Sequence, residues 1–164
     1  MKIRISLADQ ILDLLDDNDA VLQRYPVSTA ANGPGETTGS YQTPRGQHIV
    51  RAKIGGEQPL NTVFKGRRPT GEIYTPELGK QFGETQPERD WILSRILWLS
   101  GAEPGFNRLG NCDTMRRYIY IHGTPDELFE QAPRSHGCIR MRNEDLVELF
   151  DLVAPYTPVE IVAA

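Results

Sequence analysis

The chain has 164 residues, the size of one domain with a single core, and its 22 acidic against 18 basic side chains give a net charge of −4 and a pI near 5.4. That balance excludes the basic footprint that binding to a nucleic-acid backbone requires, and no apolar run approaches the roughly 18 residues of a membrane-spanning helix. The 15 glycines and 12 prolines run above ordinary usage and point to loop-rich β structure.

The first stretch, MKIRISLADQILDLLDDNDAVLQ, carries Asp9, Asp13, Asp16, Asp17 and Asp19, so no apolar region or small-residue cleavage site follows the two early cations. A cytoplasmic protein is the expectation. In a reducing compartment Cys112 and Cys138 stay thiols.

IRISL, QILDLL and AVLQRYPV are short, apolar and separated by acidic turns, which predicts strands joined by hairpins, although QILDLLDD also suits the start of a helix. Residues 28–46, dominated by Ser, Thr, Gly, Pro and Asn, supply turn chemistry and no packing face. HIVRAKIGG then alternates Val50, Ala52 and Ile54 with Arg51 and Lys53, the pattern of a strand with one wet face. The segment 58–88, rich in Gly, Pro and charge, reads as a long excursion able to cover a cleft. WILSRILWL (91–99) is apolar all round and fits a helix or a buried strand. RRYIYIHG (116–123) reads as a strand that delivers His122 at its end. NEDLVELFDLV (143–153) sets Leu146, Leu149, Phe150 and Val153 at helical spacing with Asn143 as N-cap, and PVEIV closes the chain as a strand.

The chemistry concentrates in SHGCIRM (135–141). A free thiol has a pKa near 8.5, so it needs a base or a favourable field before it can attack. Gly137 permits close backbone approach, and the amides around Gly137 and Cys138 suit the oxyanion of a tetrahedral intermediate. His136 is the sequence neighbour of Cys138. His122, followed by Gly123 on a rigid strand, has the better support for a base, which leaves His136 and Ser135 as orienting, hydrogen-bonding residues.

YPVSTA (25–30), YQTPRG (41–46), YIYIHGT (118–124) and SHGCIRM occur in the order seen in L,D-transpeptidase catalytic domains, the YkuD family, and the resemblance covers nearly the whole chain. It implies one mainly β, sandwich- or barrel-like domain over 1–164 with one or two short helices. It also implies a site of Cys138 and His122 with Ser135, His136 and Gly137, faced by Tyr120, Gly123 and the motif arginine, Arg140. Such an enzyme needs no cofactor or metal and attacks peptidoglycan stem peptides after the L-centre of the diamino acid at position three. The chain departs from the family in two places: Tyr156-Thr157-Pro158-Val159 stands where Gly-Thr-x-Val is usual, and the export signal is missing. The second departure predicts an L,D-carboxypeptidase of wall recycling, acting on soluble tetrapeptides or muropeptides, with 3-3 cross-linking transpeptidation as the alternative.

Two rivals come from other classes. Cys112, His122, His136 and Cys138 have the identities of a zinc set but not its spacing. A noncatalytic wall-binding module has no use for the thiol in its full context. Among the arginines nearby, Arg140 is assigned the site role, while Arg116 and Arg134 read as solvated surface.

Overall fold

The computed structural model describes residues 1–86 and 89–164. Ten strands and two α-helices follow one another as β1 (Lys2–Ser6), β2 (Ile11–Leu15), β3 (Val21–Pro26), β4 (Gly46–Ile54), β5 (Thr62–Lys65), β6 (Arg68–Ile73), α1 (Pro76–Thr85), β7 (Ile92–Gly101), β8 (Tyr120–Thr124), β9 (Ile139–Arg142), α2 (Asn143–Leu152) and β10 (Pro158–Val162). The fold is mainly β, and the sheet runs β3-β2-β1-β10-β4-β7-β5-β6, with β8 branching from β7 and carrying β9. The chain ends meet there: β1 lies parallel to β10, Ile3 beside Val159 and Ile5 beside Ile161.

Strand β7 is the hub. Residues 96–101 pair with β4, Leu93 and Ile92 pair with β5, and residues 93–98 pair with β8. A strand paired on both edges and covered on both faces has no polar face, which is why WILSRILWL shows no period. Helix α2 lays Leu146, Leu149 and Phe150 on Leu97, Leu99, Ile121, Ile139 and Met141, all inside the main core with Ile3, Ile5, Leu12, Val50 and Ile161.

Three expectations are corrected. The segment 58–88 is part of the fold rather than a free excursion: it holds the β5–β6 hairpin and α1, while its last two residues, 87 and 88, lie outside the described ones. Leu78 and Phe82 of α1 pack on a second cluster of Val63, Tyr74, Trp91 and Leu93. The strand expected over 116–123 begins only at Tyr120, because the Asp113 carboxylate accepts the N–H groups of Leu109 and Arg116 (2.6 and 2.9 Å) and winds 109–118 into turns. Asn143 does not cap α2. The capping position belongs to Arg142, and Asn143 is the first helical residue, with a buried amide that donates to Thr124 O (2.9 Å) and Asp126 Oδ1 (3.1 Å) and accepts from Ser94 Oγ (2.6 Å). A buried amide with all these partners would leave them orphaned if it turned to cap its own helix.

His48 on β4 gives the fold a pH dependence. Its buried ring donates from Nδ1 to Gly46 O (3.0 Å) and accepts at Nε2 from Thr114 Oγ1 (3.0 Å). Burial pushes its pKa down to about 4, against the opposing pull of the Gly46 carbonyl, Glu103 and Glu36. The unfolded chain, with an ordinary pKa of about 6.5, takes up the proton first. Stability is therefore intact above pH 6.5 and declines as pH falls toward 4, by up to about 3 kcal/mol. Urea unfolding at pH 7.0 and 4.5 should show a larger acid loss in wild type than in His48→Gln; equal losses would refute this.

Candidate active site

Cys138 immediately precedes β9, so a strand and not a helix follows the nucleophile. Strands β8 and β9 are parallel, with Ile121 opposite Ile139 and His122 opposite Arg140. Side chains alternate between faces along a strand, so Tyr120 and His122 of β8 share one face with Cys138 and Arg140 of the β9 segment. The thiol is held between two backbone groups of the β8 arm: Cys138 Sγ donates to Tyr118 O (3.3 Å) and accepts from Tyr120 N (3.3 Å). The ring of Tyr120, with Phe64 and Ile96, forms the apolar cluster against which Cys138 packs.

His122 sits in the middle of β8 rather than at its end and is completely buried. Its Nδ1 lies 2.7 Å from Gly123 O. A carbonyl only accepts, so Nδ1 carries the proton and Nε2 is left with a free lone pair. That Nε2 has no hydrogen-bond partner, and neither has Nε of Arg140, the residue opposite it in the ladder. One orphan is an acceptor and the other a cationic donor. Buried polar atoms are rarely left so, and these two belong to residues opposite each other across the β8–β9 ladder.

Burial lowers the His122 pKa, opposed by Asp90 and the Gly123 carbonyl and reinforced by Arg140, so the imidazole is neutral. The Cys138 thiol is pushed up to about 12, by burial first and by Asp90 besides, against the Tyr120 amide, Arg140 and Arg117. The resting pair is thus neutral thiol with neutral imidazole, not the thiolate–imidazolium pair of strongly activated cysteines.

The turn before Cys138 is built by the earlier motifs. Gly137 adopts φ +128°, and an added Cβ would come within 3.2 Å of both Gln42 O and Ile119 Cδ1. Thr43 Oγ1 donates to Gly137 O (2.9 Å) and accepts from Ala30 N (3.0 Å). Ser135, buried, donates to Cys138 O (2.5 Å) and accepts from Gly137 N (3.2 Å). The Gly137 amide, expected among the oxyanion donors, is thus held by Ser135 Oγ in this structure. His136 is exposed and packs edge-on against Tyr41, ring centres 6.0 Å apart. Gly123 is buried where a Cβ would strike Asn143 Oδ1 and Leu93 O, at 2.2 and 2.6 Å. Arg140 donates from Nη2 to Asp90 Oδ1 (3.0 Å).

Asp90 and Arg117 lie beside these residues, and no sequence pattern marks Asp90. Asp90 acts electrostatically on both His122 and Cys138. Arg117 pins the 35–42 loop, donating to Gly35 O, Ser40 Oγ and Gln42 O (3.3, 3.3 and 2.6 Å). Three spaces lie beside the thiol's neighbours, one of them about 470 Å³ against Asn32, Tyr41 and His136. A cleft of about 530 Å³ runs between Phe64, Phe82, Lys65, Glu72, Arg89 and Asp90, and a groove of about 230 Å³ lies among Tyr41, Arg117, Tyr118 and His136. Among the described residues, no three His, Cys, Asp or Glu side chains converge as metal ligands, so Cys112, His122, His136 and Cys138 do not form a zinc set. Nor, among those residues, is any helix long and apolar enough to cross a membrane.

The sequence matches the family model of the L,D-transpeptidase catalytic domain, YkuD, over residues 1–161. No curated protein matches it. Solved structures similar to it include L,D-transpeptidases from Mycobacterium smegmatis (TM-score 0.60, 19% identity, 98% of this chain and 58% of that one), Xylanimonas cellulosilytica (0.55, 19%, 98% and 59%) and Stackebrandtia nassauensis (0.54, 14%, 99% and 55%). The chain thus spans somewhat under three-fifths of the length of these relatives, and at such identities the likeness is one of fold. The family model covers all but the last three residues, and the chain belongs to the L,D-transpeptidase catalytic domain (YkuD) family.

Proposed function

We propose that this protein is a cysteine peptidase of peptidoglycan stem peptides, an L,D-carboxypeptidase that removes the terminal D-Ala after the L-centre of the position-three diamino acid. The observation that carries the reading is the orphaned Nε2 of fully buried His122, on the same strand-pair face as Cys138. Membership of the YkuD family supports a cysteine enzyme acting on peptidoglycan.

In the acylation step, His122 Nε2 takes the Cys138 proton as Sγ attacks the scissile carbonyl carbon. The Tyr120 N–H aimed at sulfur eases the charge that develops there. The Arg140 Nε–H, unpartnered in the free protein, offers a charged donor to a substrate oxygen. Collapse of the tetrahedral intermediate breaks the C–N bond, and the departing amine of D-Ala takes the proton from His122. Water, deprotonated by the same Nε2, then attacks the thioester, which releases the tripeptide carboxylate and restores the thiol. Ser135, through Cys138 O and the Gly137 amide, holds the turn that presents Sγ, and Asp90 with Arg140 sets the field around the imidazole.

The acyl acceptor in this reading is water; a second stem peptide in its place would make the enzyme a transpeptidase. The larger cleft, with Lys65, Arg89, Glu72 and Asp90, has charges of both signs for the donor stem.

Incubation of the protein with a tetrapeptide muropeptide, followed by mass spectrometry, is expected to give tripeptide and free D-Ala with little dimer, even with a second stem in excess. A spectrum dominated by dimers linked between two third-position residues identifies a transpeptidase instead. Binding without any product identifies a noncatalytic wall-binding module.

A further inference from the structure

We propose that Arg67, at the tip of the β5–β6 hairpin, is the receptor for the free C-terminal carboxylate of the substrate's D-Ala, so that this side chain makes the enzyme read the end of a peptide. The inference rests on the carboxypeptidase reading above and adds to it the residue that sets which substrates are taken.

The hairpin turn is two residues long, Gly66 and Arg67 between the paired Lys65 and Arg68, and both central residues have positive φ, +56° and +65°. Such a turn favours Asn, Asp and Gly, because a Cβ in the left-handed region crowds the backbone. An arginine placed there stands against local preference. Its side chain is not left in solvent. The guanidinium carbon lies 4.5 Å from the Trp98 ring centre and 5.1 Å from that of Tyr118, and Nη1 donates to Tyr120 Oη (3.0 Å). Three rings, one from β7, one from β8 and one from the turn before β8, thus hold the cation in place.

These rings flank the nucleophile. The Tyr118 carbonyl accepts the Cys138 S–H, the Tyr120 amide donates to Sγ, and the Tyr120 ring packs with Cys138. In a substrate cut before its last residue, the terminal carboxylate stands one residue beyond the scissile carbonyl, a span of at most about 3.6 Å along the chain. One residue links Arg67 to the nucleophile: Tyr120 accepts from Arg67 at its hydroxyl and donates to Sγ from its amide.

Three other guanidinium groups in this region each hold an acceptor of the protein, although Arg140 keeps a free Nε. Arg140 is paired with Asp90, Arg89 with Glu72, and Arg117 has three acceptors in the 35–42 loop. Among the described residues Arg67 has no carboxylate within ion-pair distance, and its one hydrogen bond leaves most of its five donors for a planar, bidentate partner. Those free donors suit a planar carboxylate.

Two peptides test this: the tetrapeptide with a free D-Ala carboxylate, and the same tetrapeptide with that carboxylate amidated. Wild type should cleave the acid far better than the amide. Arg67→Met should lose about 10- to 100-fold in kcat/KM on the acid, mostly in KM, and little on the amide, while Arg67→Lys should recover part of the loss. Alkylation of Cys138 should proceed at the wild-type rate in Arg67→Met, which reports an intact site. An equal loss on acid and amide, or no loss on either, overturns the proposal and leaves the carboxypeptidase reading standing. Failure of wild type to cleave either peptide overturns that reading and this proposal with it.

Discussion

Cys138→Ala should abolish release of D-Ala from a tetrapeptide, a fall of about 10⁴-fold or more, since removing the nucleophile of a covalent mechanism leaves only binding and polarisation. The fold should survive, because the thiol's two hydrogen bonds are weak and the β8–β9 ladder does not depend on them. Cys112→Ala should turn over normally: that sulfur donates to Leu109 O (3.2 Å) within its own short turn. Wild-type mass spectra taken early in the reaction should contain an adduct of the tripeptide acyl group on Cys138, absent from the alanine variant. Activity of Cys138→Ala at the wild-type level would remove the whole thioester route.

The motifs that stood out in the sequence are the ones the fold brings together. YPVSTA supplies Ser28, which bridges Arg140, Thr29, whose carbonyl accepts from both Arg134 N and Ser135 N, and Ala30, which bridges Ser135. YQTPRG supplies Thr43, which bonds the carbonyl of Gly137. Tyr25, Val27 and Ala30 of the first segment are buried, but Ser28, Thr29 and Thr43 spend polar groups on one turn of backbone, which periodicity does not show. The usual Gly position of the late motif is held here by Tyr156, which adopts φ +70° and stays exposed, so the turn is kept and the residue is not.

What the sequence hid has physical causes. Helix α1 carried readable signals: Thr75 caps it by accepting from Leu78 N (3.1 Å), and Pro76 opens it. Its apolar positions are only Leu78 and Phe82, facing Trp91 and Tyr74, too few to stand out against the surrounding charge. The strand nature of 91–99 was open because a strand buried on both faces and a buried helix look alike as short apolar runs. Asp90 and Arg67 lay beyond pattern altogether. Asp90 meets Arg140 across 50 residues, and Arg67 meets Tyr120 across 53. Only the forking of β7 puts the β5–β6 hairpin and β8 on its two edges.

The second large effect belongs to His122. Because burial keeps its imidazole neutral below the ordinary histidine pKa of about 6.5, the base is competent in acid solution where a solvent-exposed histidine is already protonated. Wild-type kcat/KM should therefore hold its plateau below pH 6.5 before the acid limb begins. On the alkaline side the thiol, pushed up to about 12, does not ionise by itself until high pH, so attack depends on transfer of its proton to Nε2 through the working range. His122→Ala should cost about 10²- to 10⁴-fold at pH 7. Its residual rate should climb with pH, approaching tenfold per unit, because thiolate must then form without a base. His136→Ala should leave the position of the acid limb where it is, since that ring is exposed beside Tyr41 and makes no contact that would tie it to the thiol's proton. An acid limb centred above pH 6.5, or one that moves with His136 and not with His122, would transfer the base role to His136 and break the link between the buried imidazole and the chemistry.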